Sequence, residues 1–203
     1  MVEGRKVTVV DLDGTLVQGN TLHLYLRAAV RCLWWRRPLT ALRVAMLMAA
    51  RAVRLIPHST MKYGAARAVG AHPAVIARLK ETAHYNPQVI KLLEERKAMG
   101  DTLLLATAAF TFYARELWNS DLVGSDLAAG PAEECRGERK AAAVAAYLRT
   151  HRAQLSCVIT DHHNDLPLLN LNPTGPNYLI NPSKKTAALA GSLFVTVLSL
   201  SEG

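Results

Sequence analysis

The sequence predicts an α/β protein: a parallel sheet with helices on both faces, interrupted after its first strand by an all-helical insertion. Three observations carry that expectation. Short apolar runs, "VTVV" (7–10), "TLLLAT" (102–107), "SCVIT" (156–160), "NYLIN" (177–181) and "LFVTV" (193–197), read as buried strands. Helical patterns separate the last four, and strands alternating with helices imply parallel pairing with both faces covered. From 20 to 85, by contrast, no strand signal appears.

The first strand runs directly into "DLDGTL", so Asp11 and Asp13 sit at its carboxyl end. Beyond it, "NTLHLYLRAAVRCLWW" (20–35) and "PLTALRVAMLMAARAVRLI" (38–56) place apolar residues at i, i+3 and i+4, and "PAVIARLKETA" (73–83) supplies a third helix. "NPQVIKLLEERKAMG" (86–100) has the clearest boundaries, with Asn86 as N-cap, Pro87 in the first turn and Gly100 past the end. The remaining helices are read at "FTFYARELW" (110–118), "GERKAAAVAAYLRTH" (137–151), "NDLPLLNL" (164–171) and "SKKTAALAG" (183–191). The expected organisation is a core of 1–16 and 86–203 with a helical insertion at 17–85.

The 203 residues are enough for one domain with a substantial insertion and a real core. Charged residues at 20% and hydrophobic ones at 50% exclude a disordered chain. Cys32, Cys135 and Cys157 lie far apart without a C-x-x-C spacing, which points away from a disulfide framework or a zinc site and towards packing roles in a reducing cytoplasm. The start "MVEGRK" has no secretory pattern. "VAMLMAA" (44–50) is far short of the ~20 apolar residues that span a bilayer.

Charge is distributed unevenly. Between Val17 and Tyr85 there are eleven lysines and arginines against Glu81 alone, a net +10 in a chain whose total is +8, leaving the rest near −2. An anionic partner near this segment is expected. The arginines can also be read as the solvated faces of amphipathic helices, their stems covering apolar neighbours. Trp34 and Trp35 beside Arg36 and Arg37 favour peripheral contact with a membrane surface. Nucleic acid is the weakest option, since no recognised binding module is present.

Ligands of open parallel sheets bind outside the carboxyl ends of the strands. Those ends carry Asp11 and Asp13, then Thr107, then Thr160 and Asp161 with Asp165 close behind, and Lys140 stands in "GERK". Two carboxylates as close as Asp11 and Asp13 raise each other's pKa, and a fold tolerates the pair mainly when a cation lies between them. Carboxylates that bind a hard cation, a hydroxyl and an ammonium for phosphoryl oxygens, and a carboxylate nucleophile make a coherent set for phosphoryl transfer. His162 and His163 next to Asp161 raise zinc as a rival metal, although adjacent histidines on a short loop rarely both reach one ion.

"DLDGTL", a hydrophobic strand ending in "ATAA", the lysine of "GERK" and "TDHHNDLPLL" occur in an order that resembles the haloacid dehalogenase superfamily, in its phosphoserine-phosphatase-like branch. The resemblance covers Val7 to about Pro182. It implies a Rossmann-like core with an inserted helical cap, and Mg²⁺ as cofactor. By the same resemblance Asp11 is the nucleophile that forms an aspartyl-phosphate and Asp13 the general acid and base. Thr107 and Lys140 correspond to phosphate ligands. The metal set is Asp11 (carboxylate), Asp13 (backbone carbonyl), Asp161 and a supporting Asp165. Thr160 and His162 depart from the family's usual Gly and Ser around the first aspartate of the last motif.

The expected function is therefore a cytoplasmic Mg²⁺-dependent phosphatase acting on an anionic phosphomonoester, in first place a small phosphorylated metabolite. The alternatives are a lipid-linked or polyprenyl phosphate at the inner face of the membrane, or a membrane- or nucleic-acid-binding module with a vestigial site.

Overall fold

The computed structural model describes residues 5–191, 193 and 195–198, and its strands form one sheet in the order β3-β2-β1-β4-β5-β6 with every pairing parallel. The strands are β1 (Arg5–Val10), β2 (Thr102–Phe110), β3 (Asp121–Ser125), β4 (Ala153–Thr160), β5 (Asn177–Ile180) and β6 (Val195–Leu198). The helices are α1 (Thr21–Leu33), α2 (Pro38–Ala52), α3 (His58–Val69), α4 (Pro73–Thr82), α5 (Pro87–Ala98), α6 (Thr111–Leu117), α7 (Glu138–Thr150), α8 (Leu166–Leu169) and α9 (Lys184–Ala190). This is the predicted α/β class: a Rossmann-like parallel sheet flanked by helices.

Successive strand residues point to opposite faces, and the two cores follow that period. Val7 and Val9 of β1, Leu104 and Ala106 of β2 and Val158 of β4 pack with Ala141 and Val144 of α7, Leu168 and Leu169 of α8 and Ala190 of α9. The alternate residues Val10, Leu105, Cys157 and Ile159 face the other way, into a cluster continuous with α5, α6 and the helices α1 to α4. Tyr25 of α1 stacks on Tyr113 of α6 at 5.2 Å and meets Phe112 edge-on at 5.7 Å. Such pairs add about 0.5–1.5 kcal/mol beyond their area.

The chain leaves the sheet for α1–α4 and returns through two segments that run side by side. Val17 bridges Tyr85, Gln18 N donates to His84 O at 2.8 Å and Asn86 N donates to Leu16 O at 2.9 Å. Asn86 caps α5, its Oδ1 accepting from Gln88 N (3.1 Å) and Val89 N (3.4 Å), and Gly100 follows at φ +90°.

Several elements differ from the sequence expectation. The helix read to 56 stops at Ala52, because Arg54 turns to φ +61° and Pro57 lacks the N–H that would continue it. α3 emerges as a separate helix. β2 continues to Phe110, three residues past the predicted end, since Ala109 and Phe110 are buried and Phe110 pairs with Ser125. β3 was not predicted at all. The last strand starts at Val195, and Phe194 of the predicted run lies outside the described residues, as do 1–4 and 199–203.

Candidate active site at the carboxyl ends of the strands

Asp11 follows β1 directly, and its N–H still donates to Ile159 O at 2.9 Å, so the β1–β4 ladder holds its backbone. The chain then coils tightly: Leu16 N donates to Asp11 O, Val17 N to Leu12 O, and Gly14 N to the carbonyls of Val17 and Gly19. Gly14 allows this at φ +76°. The coil brings Thr15 Oγ1 to 3.4 Å from Asp161 Oδ1, which ties the end of β1 to the end of β4.

Lys140, buried on the first turn of α7, reaches both motifs from below. Its Nζ lies 2.9 Å from Asp11 Oδ1 and 2.8 Å from Asp165 Oδ2, and Thr160 Oγ1 donates to the same Asp165 oxygen at 2.7 Å. Thr107, fully buried within β2 three residues before its end, accepts from Ala109 N at 3.0 Å. Asp13 Oδ1 accepts from Thr21 N at 2.6 Å, at the start of α1. All six residues singled out in the sequence line one cavity of about 430 Å³.

Negative charge exceeds positive in this cavity. Burial, followed by repulsion from Asp165 and Asp161, pushes Asp11 up to about 8 despite Lys140. Burial likewise raises Asp161 to about 6, with Asp165 adding to it. It raises Asp13 as well, against the Thr21 hydrogen bonds. Burial alone would lower Lys140, but the two carboxylates beside it raise it above the ordinary lysine range, so it stays charged. One ammonium cannot neutralise Asp11, Asp161 and Asp165 together, and this donor set fits a divalent cation.

Of the predicted metal residues, Asp11 holds its Oδ1 and Asp165 its Oδ2 against Lys140, Asp13 holds its Oδ1 against Thr21 N, and Asp161 Oδ1 meets Thr15 Oγ1. Among the described residues no group of three or more His, Cys, Asp or Glu side chains converges as a metal cage. Mg²⁺ commonly takes one or two carboxylates and completes its shell with water and phosphate, whereas zinc prefers several nitrogen or sulfur ligands. His162 Nδ1 instead accepts from Asn164 N at 3.1 Å, capping a short 3₁₀ turn, and its ring lies against His163. Burial pushes the Cys135 thiol to about 11 and the Cys157 thiol to about 12, as expected of packing residues.

Sequence reasoning missed other lining residues. Lys62 of α3 is 3% exposed and donates to Ala108 O and to Glu134 Oε1, both at 2.7 Å. His58, Tyr113, Arg136 and Asn164 also line the cavity. Only Lys62 carried a signal: a lysine set between Met61 and Tyr63, in a segment whose cations are otherwise nearly all arginine.

No curated protein sequence matches the chain. Among solved structures, a Bordetella pertussis protein of unknown function is similar at 20% identity and TM-score 0.73, over 96% of this chain and 98% of that one. A phosphoserine phosphatase solved as a phospho-aspartyl intermediate analogue is similar at 12% identity and TM-score 0.57, over 96% and 94%. A predicted phosphatase from Clostridium acetobutylicum is similar at 15% identity and TM-score 0.58, over 96% and 94%. At these identities the likeness is one of fold. The family model for haloacid dehalogenase-like hydrolases matches residues 8–170, a span that takes in every motif gathered at the cavity. On that match the chain belongs to the haloacid dehalogenase-like hydrolases.

Proposed function

We propose that the protein is a Mg²⁺-dependent phosphatase that hydrolyses a small phosphomonoester through an aspartyl-phosphate (acyl phosphate) on Asp11, with α1–α4 as the cap that selects the substrate. The observation that carries this reading is the ammonium of Lys140 set between Asp11 and Asp165 at the floor of a cavity of about 430 Å³. The reading is supported by Thr107 lining the same cavity as Asp11 and Lys140.

Mg²⁺, held by Asp11 and Asp161, would supply positive charge against the phosphoryl oxygens and keep Asp11 ionised. Lys140 offsets charge that develops on the transferred group, the function fixed donors perform best in a water-poor site. Burial raises the Asp13 carboxyl above its ordinary value, against the Thr21 N–H bond that holds its Oδ1 in place, and this favours its role as the proton carrier. It protonates the leaving oxygen as Asp11 Oδ forms its bond to phosphorus and the P–O bond to the leaving group breaks. It then takes a proton from the water that releases inorganic phosphate and regenerates Asp11.

The test is phosphate release from a panel of phosphorylated metabolites, with and without chelator. Asp11→Asn is expected to stop turnover while leaving the thermal melt intact. Residual activity above about a thousandth of wild type would remove Asp11 from the nucleophile role. Recovery of chelated enzyme with Zn²⁺ but not Mg²⁺ would overturn the assignment of the metal.

A further inference from the structure

α2 is apolar on two opposite sides. Ala41 and Val44 are buried where α2 packs on α1 and α3. Leu39, Leu42 and Met46, each about one turn from the next, face solvent at 81, 48 and 63% exposure and line a shallow apolar groove. Trp35, 89% exposed, precedes the helix, and Leu55, 78% exposed, follows it. Isolated exposed apolar residues are ordinary on a folded protein, but a stripe of them along one helix marks an interaction surface.

The surroundings of the stripe are cationic. Arg36 and Arg37 lie in the turn before α2, Arg43 on its exposed side and Arg54 just past its end, all exposed. No acidic residue occurs between Asp13 and Glu81. Among the described residues none of these four arginines has an ion-pair partner.

We propose that this face of α2 docks on the surface of an anionic lipid bilayer, with the helix lying in the interface plane. Leu39, Leu42 and Met46 enter the boundary of the acyl chains, Trp35 sits at headgroup level, and the arginines meet lipid phosphates. Charge complementarity selects this occupant. A two-fold contact between copies would bring the arginine rim of one chain to the same rim of the other, with no acid in the segment to separate them. A bilayer of anionic lipid presents a continuous negative surface and apolar depth together.

The experiment is flotation of the full chain with vesicles of phosphatidylcholine alone, and of phosphatidylcholine with about one-third phosphatidylglycerol, at salt where the Debye length is ~10 Å and again where it is ~3 Å. Binding is expected on the anionic vesicles, falling at least tenfold at high salt and on neutral vesicles. A Leu39→Ser, Leu42→Ser, Met46→Ser variant is expected to lose binding at least tenfold with an unchanged thermal melt. An Arg36→Gln, Arg37→Gln, Arg43→Gln variant is expected to lose about fivefold per arginine. The proposal is overturned if the wild-type chain stays off anionic vesicles at low salt, which would leave the face to a protein partner. It is equally overturned if the serine variant floats like wild type, or if the wild type is a dimer that the serine variant dissociates. Because flotation reads binding and not turnover, its outcome is separate from that of the phosphatase assay.

Discussion

A Cβ on Gly14 would lie 2.3 Å from Oδ2 of Asp161, so the carboxylate at the end of β4 occupies the space that a side chain after β1 would need. Gly14 also sits at φ +76°, where an L side chain is strained by about 1–2 kcal/mol. Gly14→Ala is therefore expected to lower stability by about that much and to displace Asp161. The Mg²⁺ concentration for half-maximal activity should rise at least tenfold. A metal titration beside a thermal melt checks this, and an unchanged metal requirement would separate Asp161 from the ion.

Lys140 bridges Asp11 and Asp165, so its removal strikes both carboxylates. Lys140→Met is expected to reduce kcat by about 100-fold or more at every ionic strength, on the scale of deleting one fixed donor to a developing charge. Asp165→Asn should reduce it less, because the ammonium then keeps Asp11 as its partner. Steady-state kinetics at low and high salt distinguish these outcomes. A loss that vanishes at high salt would make Lys140 a long-range contributor only.

Lys62 links α3 to Ala108 near the end of β2 and to Glu134 before α7, with its Nζ 5.1 Å from the Phe110 ring centre. Lys62→Met is expected to raise KM about tenfold with kcat little changed, because it loosens α3 against the cavity wall without touching Asp11. Glu134 keeps partial access to water, so the stability loss should be about 2 kcal/mol, below the range for a fully buried pair. Equal losses in kcat and kcat/KM would place Lys62 on the transferred phosphoryl group instead.

Asp101, just before β2, accepts from Thr8 Oγ1 (2.6 Å) and Arg96 Nε (2.9 Å) and is also bonded by Ser156 Oγ. Burial alone would raise its carboxyl, but these hydrogen bonds and the Arg96 charge outweigh it and hold it below the ordinary value. A depressed folded-state pKa contributes stability at pH above the unfolded value, near 4, and loses it as pH falls through the folded value. Asp101→Asn should therefore cost about 2–3 kcal/mol at pH 7. The gap from wild type should close below about pH 4. Denaturant melts across that window check it, and a constant gap down to the lowest pH would refute the ionic contribution.

The site was legible in the sequence where chemistry and chain order coincide. Asp11, Thr107 and Asp161 each stand at the end of an apolar run, and the ends of parallel strands meet at one edge of the sheet. Lys140 was legible by its place in "GERK". The partner of Asp165 was not: the sequence places Asp165 beside Asp161 as a support for the metal, and its ion pair with Lys140 joins residues 25 positions apart. The Thr160 hydroxyl, at the position where a glycine was expected, helps to hold it towards Lys140.

By itself the sequence determined the fold class, the helical character of residues 20 to 85 and the limits of α5, because hydrophobic period, Asn86, Pro87 and Gly100 act within a few residues of chain. Only the tertiary structure decided β3, whose "DLVGS" is too short and mixed to signal a strand until β2 lies beside it. It also decided that Lys62 is buried at the cavity while Leu39 and Trp35 face water, against the simple preference of each residue. The physical reason is the same in each case. Propensity and period are local, whereas burial depends on what the rest of the chain places opposite a residue.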